Sequence, residues 1–128
     1  MSLSRRNDER FAGLTPLSAD ERSQVEVEFS GVPRSYVDFL TAVGSGDIGP
    51  GSVMLYGTPM SPGNIYDAAS IPELNGLLVF ADDYTGTCFA FDPSQSWAVV
   101  EIDSVDHSRR NVARSFDEFV RKTLDEIG

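Results

Sequence analysis

The 128-residue chain holds one cysteine, Cys88, and one histidine, His107. A single cysteine excludes an internal disulfide, so the core alone must hold the fold, and a cytoplasmic location is the expectation. A thiol–imidazole pair could only be built from these two residues. Cys88 falls mid-strand on a face shared with Ala90 and reads as a small buried hydrophobe. His107 lies in a polar stretch beside Arg109 and Arg110 and is expected to face solvent, so no catalytic pair is expected. The same scarcity leaves no ligand set for a structural zinc. No cofactor is expected. No run approaches the ~20 apolar residues of a membrane-spanning helix. The opening MSLSRRNDERFAGL has charge but lacks the apolar segment of a secretory signal. There are no internal repeats and no low-complexity segments. The glycine clusters GSGDIGPG and GTPMSPG lack the lysine and the strand–loop–helix setting of a phosphate loop.

A second absence concerns charge of one sign. Between Ser35 and Ser108 there is no lysine or arginine, yet this span carries ten acids, among them Asp47, Asp82, Asp83, Asp92, Glu101, Asp103 and Asp106. The two ends of the chain cancel in charge, so the whole formal net charge of −10 sits on the centre. Such a surface repels nucleic-acid phosphates and anionic lipid and attracts a basic protein. No nucleic acid and no membrane is therefore expected as a partner. The blander reading is an acidic protein kept soluble by its charge.

What is present is a strongly patterned centre. Leu77–Ala81, Thr87–Phe91 and Trp97–Ile102 are apolar runs rich in aromatic and β-branched residues, which fit a pleated surface. Asp82–Gly86 and Asp92–Ser96 separate them with turn-forming residues. This predicts a three-stranded antiparallel meander. Phe89 and Phe91 share one face, and Cys88 and Ala90 the other. Ala98, Val100 and Ile102 point one way, and Trp97, Val99 and Glu101 the other. The first run is apolar on both faces, which predicts a central strand.

Around the meander the pattern turns helical. Ser18-Ala19-Asp20-Glu21 has the form of a capping box and opens a helix to about Phe29, although Val25–Phe29 also alternates like a strand. Gly31 suits the position past its end. Pro33 suits a helix start, and Tyr36, Phe39, Leu40 and Val43 follow on one face. Ser115–Glu118 repeats the capping form, and Phe116, Phe119, Val120, Leu124 and Ile127 mark a C-terminal amphipathic helix. Elsewhere the expectations are a loose lead-in over 1–17, with Phe11 and Leu14 able to dock, and a glycine-rich loop or corner over Gly44–Gly51. Ser52–Tyr56 reads as a short strand, Gly57–Gly63 as an irregular stretch, Asn64–Ala69 as one helical turn, and Val112-Ala113 as a very short strand. Residues 18–128 read as a single domain.

The order GVPRSYVDFLTAV, glycine-rich corner, LLVFADDYTGTCFAFD and VARSFDEFVRKTL resembles the SUKH superfamily, whose founding groups include the Smi/Knr-type domain. Val32, Pro33, Tyr36, Phe39 and Leu40 stand where that family shows Leu-Pro-x-x-Tyr-x-x-Phe-Leu. Asp82, Asp83 and Gly86 are similar to its acidic-glycine turn. Phe91-Asp92 is similar to its strand-closing pair, and Ser115, Phe116 and Phe119 to its closing segment. Gly44-Ser45-Gly46 departs from the usual Asn-Gly-Gly, and Gly57–Ile71 matches nothing in the pattern. The resemblance implies an α+β fold, a curved, mainly antiparallel sheet packed against N-terminal and C-terminal helices. It also implies a binding module rather than an enzyme. Many bacterial members are immunity proteins that neutralise a toxin domain, often a nuclease, and eukaryotic members are regulatory scaffolds.

The expected mode of action is docking to a basic protein partner, a toxin domain, by Asp47, Asp82, Asp83, Tyr84, Asp103 and Asp106. The alternatives are a regulatory or scaffold domain with a cellular partner and, behind that, a carboxylate-based hydrolase. Asp82-Asp83 as a hard-cation site is a weaker reading than Asp82-Asp83 as turn-formers. Tyr56, Tyr66, Tyr84 and Trp97 are candidate aromatic anchors if they are exposed among the acids.

Overall fold

The computed structural model describes Phe11 and residues 13–29, 31–49, 52–60, 76–103, 105–106 and 108–127. The elements in order are β1 (Gly13–Thr15), α1 (Ala19–Glu28), α2 (Arg34–Ala42), β2 (Ser45–Ile48), β3 (Val53–Met60), β4 (Leu78–Asp82), β5 (Cys88–Asp92), a 3-10 turn (Pro93–Gln95), β6 (Ala98–Ile102), β7 (Arg109–Ala113) and α3 (Phe116–Ile127). The strands form one open antiparallel sheet in sequence order, β1 to β7. The fold is α+β, as expected, with helices flanking the sheet. The expected meander is its β4–β5–β6 part, and β4 is the fourth of seven strands. Val79, Phe80 and Ala81 are each fully buried, so both faces of β4 are covered.

The faces of the sheet separate by alternation. Phe80, Phe91 and Val99 face the helices and join Tyr36, Phe39, Leu40, Phe116 and Phe119 in one core. Leu77, Val79, Cys88, Ala90, Val100 and Ile102 form a second buried cluster on the opposite face, with Tyr56 against it. Cys88 is therefore a packed core thiol.

Aromatic contacts define the first core. Phe80 and Phe91 stack at 4.2 Å between centroids. Tyr36 meets Phe91 and Phe116 edge-on, each at 5.3 Å. Such pairs add about 0.5–1.5 kcal/mol each beyond the area they bury. Burial pushes the Tyr36 phenol far up, so it stays a neutral donor. Its hydroxyl donates to the Tyr56 carbonyl at 3.0 Å, which satisfies a polar atom that would be costly to bury alone.

The helices form for the local reasons the sequence suggests. Ser18 and Glu21 make the reciprocal capping box of α1, through Glu21 N–H to Ser18 Oγ at 3.2 Å and Ser18 N–H to Glu21 Oε1 at 2.9 Å. Only Val25 of α1 is buried, so the competing strand reading loses to the cap rather than to amphipathicity. Tyr36, Phe39, Leu40 and Val43 are all buried along α2, as its spacing predicts. At α3 the box is half made. Ser115 Oγ accepts from Glu118 N–H, but the Glu118 carboxylate turns to the Arg114 amide.

Four expectations are corrected. The lead-in contributes β1, while Phe11 and Leu14 are buried in keeping with the expectation that they can dock. Gly44–Gly51 is not simply a corner: Ser45–Ile48 is β2, paired with β1 on one side and β3 on the other. Its glycines permit a close approach. A Cβ on Gly44 would lie 2.6 Å from the Thr15 carbonyl carbon, and one on Gly46 would lie 2.5 Å from the Gly13 oxygen, both at positive φ. Finally, β3 runs on through Gly57, Thr58 and Pro59 to Met60. Leu55 faces Ala81 but Met60 faces Val79, so a bulge takes up the extra residues and tolerates the proline. Likewise β7 is longer than Val112-Ala113. The expected turn at Asn64–Ala69 lies outside the described residues.

One ion pair is built into the sheet. Asp92 is 3% exposed and pairs with Arg109 across β6. It also accepts from Ser94 N–H at 3.0 Å and Ser94 Oγ at 2.6 Å, which closes the 3-10 turn. Burial pushes the Asp92 carboxyl up, but the bonds from Ser94 and Arg109 outweigh it and hold it below the ordinary value. A lowered folded-state value means that this stabilisation is complete above the ordinary aspartate value of 3.8 and drains away as pH falls below it. Asp92→Asn keeps an acceptor for Ser94 but strips Arg109 of its counter-charge. It is expected to cost about 1–3 kcal/mol at neutral pH and to flatten the acid limb of a stability-versus-pH curve measured by urea unfolding. Gly44→Ala is expected to cost about 1–3 kcal/mol from strain alone, read by the same unfolding assay, because the new methyl meets backbone rather than a movable side chain.

Candidate functional site

In an antiparallel meander, alternate turns lie at the same end. Here the β2–β3, β4–β5 and β6–β7 connections share one end of the sheet, as the registers Ile48–Val53, Asp82–Cys88 and Ile102–Arg109 require. All six expected site residues lie at that end. Asp47, Met54, Asp82, Cys88, Ile102 and Arg109 form one transverse row on one face. Asp83 and Tyr84 follow Asp82 in its turn, and Asp103 and Asp106 lie in the turn after Ile102. The four strand steps from Asp47 to Ile102 span about 19 Å. That is a protein-sized footprint and too wide for a single ion. Among the described residues, no group of three His, Cys, Asp or Glu side chains is placed to hold a metal.

Within the row the structure draws Asp47, Asp82 and Tyr84 together. Tyr84 Oη donates to Asp47 Oδ1 at 2.9 Å, and the Tyr84 N–H donates to Asp82 Oδ1 at 2.9 Å. Tyr56 Oη donates to Asp82 Oδ2 at 2.6 Å. Tyr84 sits at φ 69°, a region unfavourable for a bulky side chain. Its two bonds hold it there, with half its surface exposed. Desolvation, the bond to Asp47 and the charges of Asp47 and Asp82 all push its phenol up, so it remains a donor at ordinary pH.

The other acids close their own turns. Asp83 Oδ1 accepts from Thr85 N–H and Oγ1, at 2.9 and 2.6 Å. Asp103 Oδ1 accepts from the amides of Val105 and Asp106. Asp106 Oδ1 accepts from the Ser108 amide at 2.9 Å, and the Ser108 bonds hold its carboxyl below the ordinary value. The turn-former reading of Asp82-Asp83 is therefore the one the geometry bears out. Tyr56 is half-buried and spends its hydroxyl on Asp82, so among the described aromatic candidates Tyr84 is the exposed one. Trp97 is half-buried against Phe91 at the other end of the sheet. Tyr66 and His107 lie outside the described residues.

Behind the tips, on the helix-covered face, the next row reads Leu55, Ala81, Phe89, Glu101, Arg110. Its β5–β7 part and α3 bound a groove of about 800 Å³, lined by Asp83, Phe89, Glu101, Arg110, Phe119 and Glu126 among others. Phe89 packs on Phe119 in its wall, with ring centroids 4.9 Å apart. Arg110 pairs with Glu101 at 2.7 Å. The sequence analysis missed this groove. Its one signal was Glu101 pointing to the same face as Val99, a charge on the side that should be apolar.

The aligned features extend to comparison with known proteins. No curated protein matches the chain. No helix among the described residues is long and apolar enough to cross a membrane. Residues 16–122 match the SMI1 / KNR4 family (SUKH-1), a span that takes in α1, α2, β2 to β7 and the start of α3. The chain belongs to the SMI1 / KNR4 family (SUKH-1).

Proposed function

We propose that this protein is an intracellular immunity-type binding module that neutralises a basic toxin domain of the nuclease kind by docking its acidic hairpin tips against it. The observation that carries this reading is the gathering of Asp47, Asp82, Asp83, Tyr84, Asp103 and Asp106 at one end of the sheet. Family membership supports a protein-binding role. A nuclease surface is rich in the Arg and Lys residues that contact phosphates, and an array of carboxylates competes for those same residues. Tyr84 supplies an exposed aromatic within the acidic surround, the composition typical of an interface anchor with a polar rim.

The pKa pattern supports docking over turnover. Among the described residues, each carboxyl displaced from its ordinary value, Glu21, Asp92, Asp106 and Glu118, is displaced downward, and each does so at a cap, a turn or an ion pair. A general acid at neutral pH needs the opposite direction.

Charge complementarity of this kind acts chiefly on association rate and selectivity. Retention of a partner from the source cell, identified by mass spectrometry, supplies the binding pair. The triple variant Asp83→Asn, Asp103→Asn, Asp106→Asn keeps every turn-closing Oδ1 acceptor while removing three charges. It is expected to slow association by about tenfold at low salt with little change in melting temperature, and the wild-type rate is expected to fall as salt rises. A rate that is flat in salt and untouched by the triple variant would remove the tips from the interface.

A further inference from the structure

We propose that the groove behind the hairpin tips receives an arginine side chain of the protein partner, with its stem on Phe89 and Phe119 and its guanidinium facing Asp83 and Glu126. This rests on the tips being a protein interface, and it adds the anchor that fixes the partner's position. The groove opens beside the tips, and Asp83 belongs to both. Its volume of about 800 Å³ suits a side chain together with the backbone that carries it. Phe89, with Phe119 packed behind it, supplies its aromatic wall, and its two cations are already engaged. Arg110 is held on Glu101 at 2.7 Å. Lys122 donates to the Val112 carbonyl at 2.7 Å and lies 3.6 Å from Glu118. Asp83 and Glu126 make no ion pair among the described residues, although Arg110 and Lys122 line the same groove. The open charge of the groove is therefore negative, set over phenylalanine rings.

That combination favours arginine. A guanidinium stacks on an aromatic face and bonds a carboxylate through its planar fork, and it gives up hydration more readily than an ammonium. An anion would meet Asp83 and Glu126 and find Arg110 and Lys122 occupied. A neutral apolar side chain would leave the carboxylates facing a desolvated wall.

The test uses the full chain and a blocked Leu-Arg-Leu tripeptide, with the same peptide carrying citrulline as the uncharged isostere. Amide shifts are followed by heteronuclear NMR at low salt. The arginine peptide is expected to give saturable shifts at Asp83, Phe89, Glu101 and Glu126. Binding should be about tenfold weaker with citrulline. It should be at least about threefold weaker in the exposed-site variant Glu126→Lys, whose melting temperature reports that it folds. Asp83→Asn, which keeps its turn bond, is the second variant and should act in the same direction. Shifts confined to the Asp103–Asp106 turn would overturn the groove while leaving the tip interface standing. Equal binding of the citrulline peptide, or no saturable shift at the groove, would overturn the proposal outright. Because the peptide assay needs no natural partner, it reads independently of whether that partner is a toxin.

Discussion

The Asp47–Asp82–Tyr84 part of the acidic end is tied to one buried phenol. Tyr36 lies in the middle of the aromatic core, and its hydroxyl has to find an acceptor there. It finds the carbonyl of Tyr56, the first residue of the bulged stretch of β3. That bond sets α2 against the sheet at the place where β3 departs from regular pairing. Tyr56 in turn projects to the opposite face and donates to Asp82, and Asp82 holds the amide of Tyr84, whose hydroxyl reaches Asp47. A continuous set of short polar contacts thus runs from the helix layer, through the sheet, to the surface. The β4–β5 tip is thereby positioned by the core.

The sheet serves the same end by topology alone. A meander in sequence order needs no crossover, so every second connection emerges at one end whatever the loops contain. Acids scattered over sixty residues of sequence become neighbours because of strand parity. Opposite-sign charge on the remaining elements is spent locally, as in Arg22 with Asp38 and Glu26, Arg114 with Glu118, and Arg109 with Asp92.

Sequence reasoning reached those parts of the molecule where one local signal dominates. Alternation in Leu77–Ile102 exposed three strands and both of their faces, and i, i+3, i+4 spacing exposed α2 and α3. It failed where glycine and proline carry two meanings. In Gly44–Ser45–Gly46 the missing Cβ lets two strands approach closely, but the same residues also spell a loop. In Gly57–Thr58–Pro59 the breaker residues sit inside a bulged strand. For the site, the charge distribution pointed to acids that the fold gathers at one end of the sheet, since lysine and arginine are absent from the whole central span. The groove beside them was illegible, because Phe89, Glu101 and Arg110 come from three separate strands and become adjacent only once the register is known.

Each of Asp83, Asp103 and Asp106 closes its turn with amides two or three residues away. The exposed connections are consequently self-sufficient cassettes. Their outer composition can drift without asking the interior to repack. A scaffold arranged in this way can change what its turns present while its own architecture stays put.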